Sequence, residues 1–323
     1  MPKMIFSVGG SSGLNWADFV EVVKACEEMD FYAFYPSDHL MTVQVGRGTK
    51  DDRIDAISVL LALAPITTKI RLGVQVIGNL FRHPVITAKM MNALDHISNG
   101  RADIGIGAGW SKMEHAAHGM AFPPLAERIQ RLEESIALMK ALFTEERATY
   151  EGKYYQVYEV PFDPKPIQKP HPPIMIGGIN EATLRVVARH ANDWSSLGPR
   201  KEIQEKAQRL KELCEEEGRD FTAIRASHQV PLLITEDKSE VDLMVDTQIK
   251  RMVGNPGFQP SPHYGSIEEQ MRDTIVAGDV EDIKEQLEAW RGVGITHMNF
   301  VTPRPFSRGM LEKFQAEVAP TFA

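Results

Sequence analysis

Asp38 and His39 are adjacent polar residues that lie just beyond an apolar, aromatic-rich run over 31–35, a run that predicts a β-strand. Because an imidazole changes charge near neutral pH, His39 is a candidate for giving a proton to a substrate or taking one from it. Neighbouring residues of an extended chain point to opposite sides, so one side chain should face the site while the other braces the loop. The structural alternative is that Asp38 caps a helix and His39 makes only structural contacts.

A second candidate site lies between an apolar run over 174–176 and the helix predicted over 181–191. A strand that leads through two glycines into a helix offers free N–H groups and a positive dipole end, which together favour an anion. Arg128, Arg185 and Lys165 could add positive charge. The alternative is a tight turn in which an asparagine caps the helix. The residues of this phosphate-type loop are Gly177, Gly178, Ile179 and Asn180.

The ends of two further predicted strands supply small or polar residues. Gln75, Val76 and Asn79 close the strand over 70–76, where a flat ligand lying across the strand ends would rest; plain packing and a turn are the alternative. The glycine-rich run over 105–109 resembles a dinucleotide loop only superficially, since no third glycine opens a helix and no acidic residue follows at the usual spacing. These glycines instead predict close approach of a ligand to the backbone at Gly107 and Ala108.

Other chemistries find little support in the sequence. Glu114, His115 and His118 form an E-H-x-x-H run, but no third metal ligand follows at a suitable spacing, and we predict no metal site. The sequence contains neither a Gly-x-Ser-x-Gly elbow nor a phosphate-binding P-loop. Hydrolase and nucleotide triphosphatase functions are therefore not indicated.

These candidates must be positioned by strands and helices whose signals alternate along the whole chain. Eight alternations favour a closed α/β (β/α)8 TIM barrel over an open doubly wound sheet, with the site at the carboxyl ends of the strands. The predicted strands cover 4–8, 31–35, 70–76, 102–107, 174–176, 193–197, 224–234 and 297–301. The predicted helices cover 15–29, 55–67, 83–97, 126–144, 181–191, 201–217, 239–253 and 279–291.

Two of the helices have a clear apolar pattern. In the helix over 83–97, one face is formed by Val85, Ile86, Met90, Leu94 and Ile97. In the helix over 126–144, one side is formed by Leu125, Ile129, Leu132, Ile136 and Met139.

The chain shows no composition break, so we expect one domain over 1–323, with insertions into the barrel. The insertions are predicted near 40–55, 108–125, 149–173 and 250–275, the third containing a β-hairpin over 149–160. The first, second and fourth are expected to shape the substrate entrance.

Composition narrows the class of protein further. The 323 residues are 43% hydrophobic and 25% charged, typical of a globular protein, and the net charge of −8 argues against a nucleic-acid partner. No apolar run is long enough to span a membrane, and no signal peptide is recognisable. The two cysteines, Cys26 and Cys214, are too few for a disulfide framework. A cytoplasmic protein is expected.

Taken together, the segments resemble the bacterial luciferase-like monooxygenase superfamily, most closely its coenzyme F-420-dependent oxidoreductase branch. The resemblance runs along almost the whole chain. The segments that carry it are YPSDHL at 35–40, RLGVQVIGNLFRHP at 71–84, ALDHISNGRADIGIGAGW at 93–110, FPPLAERIQRLEESI at 122–136, YEGKYY at 150–155, PKPIQKPHPPIMIGG at 164–178 and GVGITHMNF at 292–300.

The resemblance implies a barrel with insertions, commonly a homodimer, that binds a flavin-type ring over the carboxyl ends of its strands. It implies that Asp38 and His39 flank the reactive ring, that Gln75–Val76 is a non-proline cis peptide, and that 177–180 hold the phosphate. One departure concerns the substrate: members that oxidise sugar phosphates have glutamate directly after the strand-four glycines, where this chain has Trp110. A substrate less polar than glucose 6-phosphate is therefore expected to contact Trp110; the alternative is that Trp110 packs into the core of the insertion.

Three functions follow from this resemblance. The first is hydride transfer between coenzyme F-420 and a small organic substrate, with His39 handling the proton and Asp38 positioning ring or substrate. The second is a monooxygenase that uses reduced FMN, for which a flavin reductase would be a partner. The third is a non-catalytic flavin-binding barrel. A polyglutamyl tail on F-420 would favour a basic track leading away from the phosphate loop, and FMN would need none.

Overall fold

Eight parallel strands close into a barrel in the computed structural model, which describes residues 3–10, 14–41, 53–253, 259–301 and 306–323. The strands are β1 Ile5–Gly9, β2 Ala33–Tyr35, β3 Arg71–Gly73, β4 Ile77–Gly78, β5 Ala102–Gly107, β6 Arg147–Glu151, β7 Gln156–Pro161, β8 Ile174–Gly177, β9 Asp193–Ser196, β10 Arg225–Ile234, β11 Val276–Gly278 and β12 His297–Val301. The helices are α1 Trp16–Glu28, α2 Ala56–Leu63, α3 Pro84–Ile97, α4 Lys112–Ala117, α5 Leu125–Thr144, α6 Glu181–His190, α7 Arg200–Glu216, α8 Lys238–Val253, α9 Ile267–Arg272, α10 Val280–Gly292 and α11 Arg308–Lys313.

The order around the barrel is β1-β2-β3-β5-β8-β9-β10-β12, and β12 pairs with β1 to close it, with His297 beside Ile5. The short strand β4 continues β3 after an interruption at 74–76 and pairs with β5. The predicted (β/α)8 barrel is therefore confirmed. Its carboxyl-terminal mouth is the end at which all eight strands deliver their following loops.

Local sequence signals explain several boundaries. Asn15 caps α1, where its side chain accepts from the backbone of Asp18, and Asn180 caps α6 in the same way. The hairpin predicted over 149–160 is β6 and β7, an antiparallel pair that stands apart from the barrel. The sequence patterns did not predict α4, α9, α11 or β11. Strand β11 extends the sheet only at the far end of β10, where Leu232 pairs with Val276.

The amino-terminal end of the barrel is held together by buried ionic and polar contacts. Arg71 pairs with Asp103 at 2.6 Å, and Arg225 pairs with Asp193 at 2.6 Å. The Tyr35 hydroxyl donates to Asp103 at 2.9 Å. Each of these buried charges is compensated by a direct partner, so the contacts define the amino-terminal end of the barrel. The mouth is at the opposite end and is the place for a ligand.

The apolar face expected for helix α3 is buried only in part: Leu94 is fully buried and Val85 and Met90 are half-buried, but its other two residues face outward. Ile86 and Ile97 are 53% and 49% exposed. The side of α3 that packs inward instead includes Asn92 and Asp95, which bind the extended segment over 162–168; the Asn92 amide donates to the carbonyl of Pro164 at 2.8 Å. Hydrophobicity does not identify this side because polar contacts with a distant segment bury it. In α5, Ile129, Leu132, Ile136 and Met139 are buried as predicted, but Leu125 is exposed.

Parts of two predicted insertions, 42–52 within 40–55 and 254–258 within 250–275, lie outside the described residues. In the parts of the chain that the structure does describe, no helix is long and apolar enough to cross a membrane.

Candidate functional site

Asp38 and His39 turn to different partners at the mouth. The Asp38 carboxylate accepts from both terminal nitrogens of Arg82, at 2.7 and 3.1 Å, and from the backbone N–H of Gly78 at 3.1 Å. It is 5% exposed, so it braces the loop after β2 against β4. His39 keeps 22% of its side chain exposed and lies on the open side.

Arg82 joins Asp38 to Asp55, the residue that caps α2. Burial by itself would lower the pKa of this guanidinium, but the bonds and charges of Asp38 and Asp55 outweigh burial and raise the pKa. The arginine therefore stays charged and ties together the ends of β2, β4 and the start of α2. The sequence analysis missed Arg82, and only its place directly before a predicted helix marked it.

Glu114 in helix α4 holds His39. Its carboxylate lies 3.0 Å from Nδ1 of His39 and also accepts the backbone N–H groups of Leu40 and Met41. Burial tends to raise the pKa of Glu114, but the hydrogen bond and charge of His39, together with those two N–H groups, lower it below its usual range. An ionised carboxylate only accepts hydrogen bonds, so Nδ1 of His39 carries the hydrogen and Nε2 is the remaining ring nitrogen.

The sequence analysis considered Glu114 only with His115 and His118. Those two histidines instead donate through Nδ1 to backbone carbonyls, at 2.8 Å to Ser111 and 2.9 Å to Glu114. Within the described residues, no group of three or more His, Cys, Asp or Glu side chains could hold a metal ion. A signal for Glu114 existed in the Ser111-x-x-Glu114 spacing, which is a helix-capping pattern; the Ser111 hydroxyl accepts from the Glu114 N–H at 3.2 Å.

Trp110 stands beside His39 at the rim. Its ring meets the imidazole edge-on, with centroids 5.7 Å apart and planes at 80°. The side chain is 61% exposed, so it does not form part of an insertion core. Leu197, which directly follows β9, is 63% exposed. The described rim thus presents apolar surface next to one titratable ring.

The floor of the mouth is formed by Val76 and glycines. The peptide bond Gln75–Val76 is cis, as the resemblance implied. A Cβ atom at Gly107 would lie 2.9 Å from a Val76 methyl, and one at Gly177 would lie 3.0 Å from it. Side chains at these two positions are therefore excluded by Val76, which occupies the space above β5 and β8. The result is a flat floor on which a planar ring can lie.

Gln75 and Asn79 continue this floor with amide groups. Gln75 Nε2 donates to the Ser195 hydroxyl at 2.7 Å, and Gln75 Oε1 accepts from the amide of Asn299. The backbone N–H of Asn79 donates to the Gly107 carbonyl at 3.1 Å. The side-chain nitrogen of Asn79 is buried and has no partner within the described structure. A buried amide N–H without an acceptor lowers the stability of the fold unless a ligand accepts its hydrogen bond. Asn79 is therefore suited to donate to the edge of a bound cofactor.

The loop over 177–180 runs from β8 into α6. Gly178 has φ +141°, which a side chain disfavours, and its backbone N–H donates to the Ser195 carbonyl at 3.1 Å. Asn180 uses its side-chain oxygen to accept from Thr183 at 2.9 Å. Both the turn and the helix start that the sequence predicted are therefore present. The first N–H groups of α6 are left for an anion, with Ile179 between glycine and cap.

The three cations suggested for this loop have other partners. Arg128 donates to the carbonyls of Pro123 and Gly109 and so supports the loop that carries Ala108 and Trp110. Lys165 donates to the Leu142 carbonyl at 3.0 Å. Arg185 pairs with Glu181 at 3.0 Å. The structure thus brings His39, Trp110 and the glycine floor together at the mouth, but it does not direct these cations toward the phosphate-type loop.

Fold and site together define a (β/α)8 barrel with a planar-ligand floor and a carboxylate-held histidine at its mouth. The profile of the luciferase-like monooxygenase family matches residues 4–297. The chain belongs to the luciferase-like monooxygenase family.

Relatives and solved structures add detail about what this chain is similar to. An F-420-dependent glucose-6-phosphate dehydrogenase of Segniliparus rotundus is 27% identical over 328 aligned residues, which cover 95% of this chain and 94% of the relative. The same-named protein of Kineococcus radiotolerans is 27% identical, with 94% and 91% covered.

Among solved structures, the coenzyme F-420-dependent tetrahydromethanopterin reductase of Methanopyrus kandleri superposes with a TM-score of 0.81 at 21% identity, over all of both chains. An F-420-dependent secondary alcohol dehydrogenase superposes over all of both chains with a TM-score of 0.85 at 16% identity. A long-chain alkane monooxygenase superposes with a TM-score of 0.81 at 16% identity, covering 99% of this chain and 91% of that one. At such identities the likeness shows the fold.

Proposed function

We propose that the protein is an oxidoreductase that transfers a hydride between coenzyme F-420 and a small organic substrate. The observation that carries the proposal is a titratable ring held by a buried carboxylate at the same barrel mouth as a floor for a planar cofactor: His39 is bound to Glu114, and Val76 covers Gly107 and Gly177. The full-length relatives named as F-420-dependent dehydrogenases support the choice of coenzyme.

The residues present fit such a coenzyme. Val76 would support the ring face over Gly107 and Gly177, where backbone rather than side chains borders the floor. The unpaired amide of Asn79 would bind the ring edge, and the N–H groups at the start of α6 would bind the phosphate. When bound, the deazaflavin supplies the carbon that gives or takes the hydride.

The side chains of the mouth would handle the remaining steps. His39 would give or take the substrate proton through Nε2, because Nδ1 is engaged with Glu114. Asp38, neutralised by Arg82, would hold the loop that positions His39. Trp110 would cover the substrate and keep water from the reacting atoms.

We propose a substrate less polar than glucose 6-phosphate. Trp110 and Leu197 present exposed apolar surface at the rim, and the described cation nearest to Asp38, Arg82, is already paired with two carboxylates. Secondary alcohols, ketones and activated alkenes are the classes to screen. Turnover of glucose 6-phosphate at the same efficiency as an apolar alcohol would contradict this part of the proposal.

A monooxygenase that uses reduced FMN is the second candidate, and the surface next to the phosphate-type loop favours it. Arg185 and Arg209 are both paired with Glu181, and both also bind Glu216. A basic track for a polyglutamyl tail is therefore not formed by these arginines, and FMN needs none. This function would require a flavin reductase as partner.

Paired fluorescence titrations of the purified protein with F-420 and with FMN test the coenzyme. Gly178→Ala, which places a Cβ 2.9 Å from the Thr183 side chain at a positive φ, should weaken binding of the true coenzyme; Gly218→Ala, also at positive φ but with open space around it, is the matched control. Tight binding of F-420 alone supports hydride transfer. Tight binding of FMN alone moves the protein to the monooxygenase reaction. Binding of neither refutes both functions and the assignment of the loop over 177–180 as a phosphate site.

His39→Ala tests the proton transfer in the same protein. We expect turnover to fall by about 100-fold, a typical contribution of a general acid or base, while the coenzyme dissociation constant changes little. An equal loss of turnover and of coenzyme affinity would refute the assignment of His39.

We propose that the protein is a homodimer that associates through α2 and α3. The exposed residues of α2 and of the turn after it carry no charge, and a two-fold contact would place them and the outward residues of α3 against the same surface of a second copy; they are Ser58, Ala62, Pro65 and Ile66. Light scattering should show a dimer for the parent protein and a monomer for the double variant Ile86→Glu/Ile97→Glu. The control Leu243→Glu, at an exposed residue of α8, should leave the dimer intact. A monomeric parent protein would overturn the proposal. The outward stripe on α3 consists of Ile86, Met90, Ala93 and Ile97.

We also propose one folding domain over 1–323 and a cytoplasmic location. Two free, buried cysteines, Cys26 and Cys214, suit a reducing compartment. A single cooperative thermal transition and recovery in the cytosolic fraction of the native cells are the expected results.

A further inference from the structure

Glu114 is a buried carboxylate in the segment after β5, and it reaches His39 in the loop after β2. It is 1% exposed and lies on α4, a six-residue helix in the insertion that follows β5. Oε2 lies 3.0 Å from Nδ1 of His39, while Oε1 accepts the N–H groups of Leu40 and Met41 and lies 3.3 Å from the same nitrogen. One side chain thus fixes both the ring and the backbone beside it.

We propose that Glu114 is a positioning residue for the reaction, which holds His39 as the Nδ1–H tautomer and presents Nε2 to the bound substrate. The proposal rests on the proposed function, because it concerns the same histidine. Its physical basis is that a neutral imidazole has one hydrogen, and an acceptor fixed at Nδ1 decides where that hydrogen is. The open nitrogen is then an acceptor, as a general base requires.

The other groups around His39 leave this role to Glu114. The ring of Trp110 meets the imidazole edge-on and supplies no charge. Asp38, the neighbour in sequence, is bonded to Arg82 and to the Gly78 N–H instead. Within the described residues, Glu114 is the ionisable side chain in hydrogen-bond contact with His39.

Glu114→Gln separates the tautomer from the fold of the loop. The N–H groups of Leu40 and Met41 require an acceptor, so the amide oxygen of glutamine should take the position of the oxygen they now bind. The amide NH2 then faces Nδ1 of His39, which must become an acceptor. The substitution therefore moves the ring hydrogen to Nε2.

Nitrogen-15 NMR of histidine-labelled protein reads the tautomer without coenzyme or substrate. We expect the Nδ1–H form of His39 in the parent protein and the Nε2–H form in Glu114→Gln. Turnover with the coenzyme identified above should fall by about 100-fold, with less than a three-fold change in its dissociation constant.

Glu134→Gln is the matched control. Like Glu114, Glu134 accepts backbone N–H groups, in this case the three of Lys153, Tyr154 and Tyr155 at the hairpin, away from His39. We expect it to leave turnover and the His39 spectrum unchanged, whatever it does to the melting temperature.

Two results would overturn the proposal: the same His39 tautomer in Glu114→Gln as in the parent, or a turnover loss no larger than that of Glu134→Gln. If instead the tautomer reverses but neither F-420 nor FMN supports turnover of the parent protein, the positioning by Glu114 stands and the proposed function fails.

Discussion

Gly107→Ala is the substitution that tests the floor of the mouth most directly. The new Cβ would lie 2.9 Å from a methyl of Val76 and 3.5 Å from the carbonyl oxygen of Gly177. Ordinary contacts of a Cβ begin at about 3.4–4 Å, so one of the groups must move by roughly half an ångström. Valine is stiff about χ1, and the carbonyl belongs to β8, so neither moves freely.

The expected cost follows from this geometry. One extra methyl forced into packed surroundings lowers the free energy of unfolding by about 1–3 kcal/mol. Because the displaced group is Val76, the same change should weaken coenzyme binding, since the ring would lie on that side chain. Gly292→Ala at the end of α10, where no heavy atom lies within 4 Å, is the control and should cost nothing.

A double-mutant cycle with Val76→Ala makes the prediction specific. Val76→Ala removes the methyl groups that the new Cβ would meet, so the double variant should recover at least about 1 kcal/mol relative to the sum of the two single changes. Urea unfolding measures the free energies, and fluorescence titration measures the coenzyme dissociation constant. Additive free energies within about 0.3 kcal/mol would refute the inference that Val76 fills the space above Gly107.

Three further outcomes are expected. Burial lowers the pKa of His228 to about 3, so the folded state stays neutral while the unfolded chain takes up a proton below about pH 6.5. The free energy of unfolding, measured with urea, should therefore fall by about 2 kcal/mol between pH 6.5 and pH 5. It should fall by clearly less in His228→Gln. An equal fall in both proteins would contradict the assignment of this pH dependence to His228. Arg82→Gln leaves the buried Asp38 carboxylate without its cationic partner and should lower the free energy of unfolding by about 3 kcal/mol. The control Arg185→Gln, at an exposed ion pair, should lower it by only about 0–1 kcal/mol. Similar losses in the two variants would show that the Arg82 pair is not effectively buried. Burial raises the pKa of the Cys26 thiol well above its usual range, so iodoacetamide at pH 8 should modify this residue only at the rate of unfolding; rapid labelling of the native protein would contradict its burial.

Local signals predicted much of the architecture. The period of apolar residues located all eight barrel strands, and the cap at Asn15 and the glycine turn at 177–178 marked where helices begin. Such features depend on a few neighbouring residues, so they can be recognised without the fold. The split of one predicted strand into β3 and β4 could not, because it depends on which partner on β5 each half meets.

The candidate site divides in the same way. Residue types and strand ends indicated His39, Asp38 and the glycines, but not the partners that decide what these residues can do. Glu114 reaches His39 across 75 positions, and Arg82 reaches Asp38 across 44. No local pattern encodes such pairs. The apolar stripe of α3 was misleading for a related reason, since apolar residues lie on both its inward and its exposed side, and only the fold shows which side meets the rest of the same chain.

The sequence by itself determined the alternation of strands and helices, the closed barrel it implies and the chemical types that gather at the strand ends, because periodicity and turn chemistry act over a few residues. Only the tertiary structure decided that Val76 covers two glycines, that Asn79 keeps an unpaired buried amide and that a carboxylate orients His39. These facts depend on the distances between side chains that are far apart in the chain, and closing the barrel is what sets those distances.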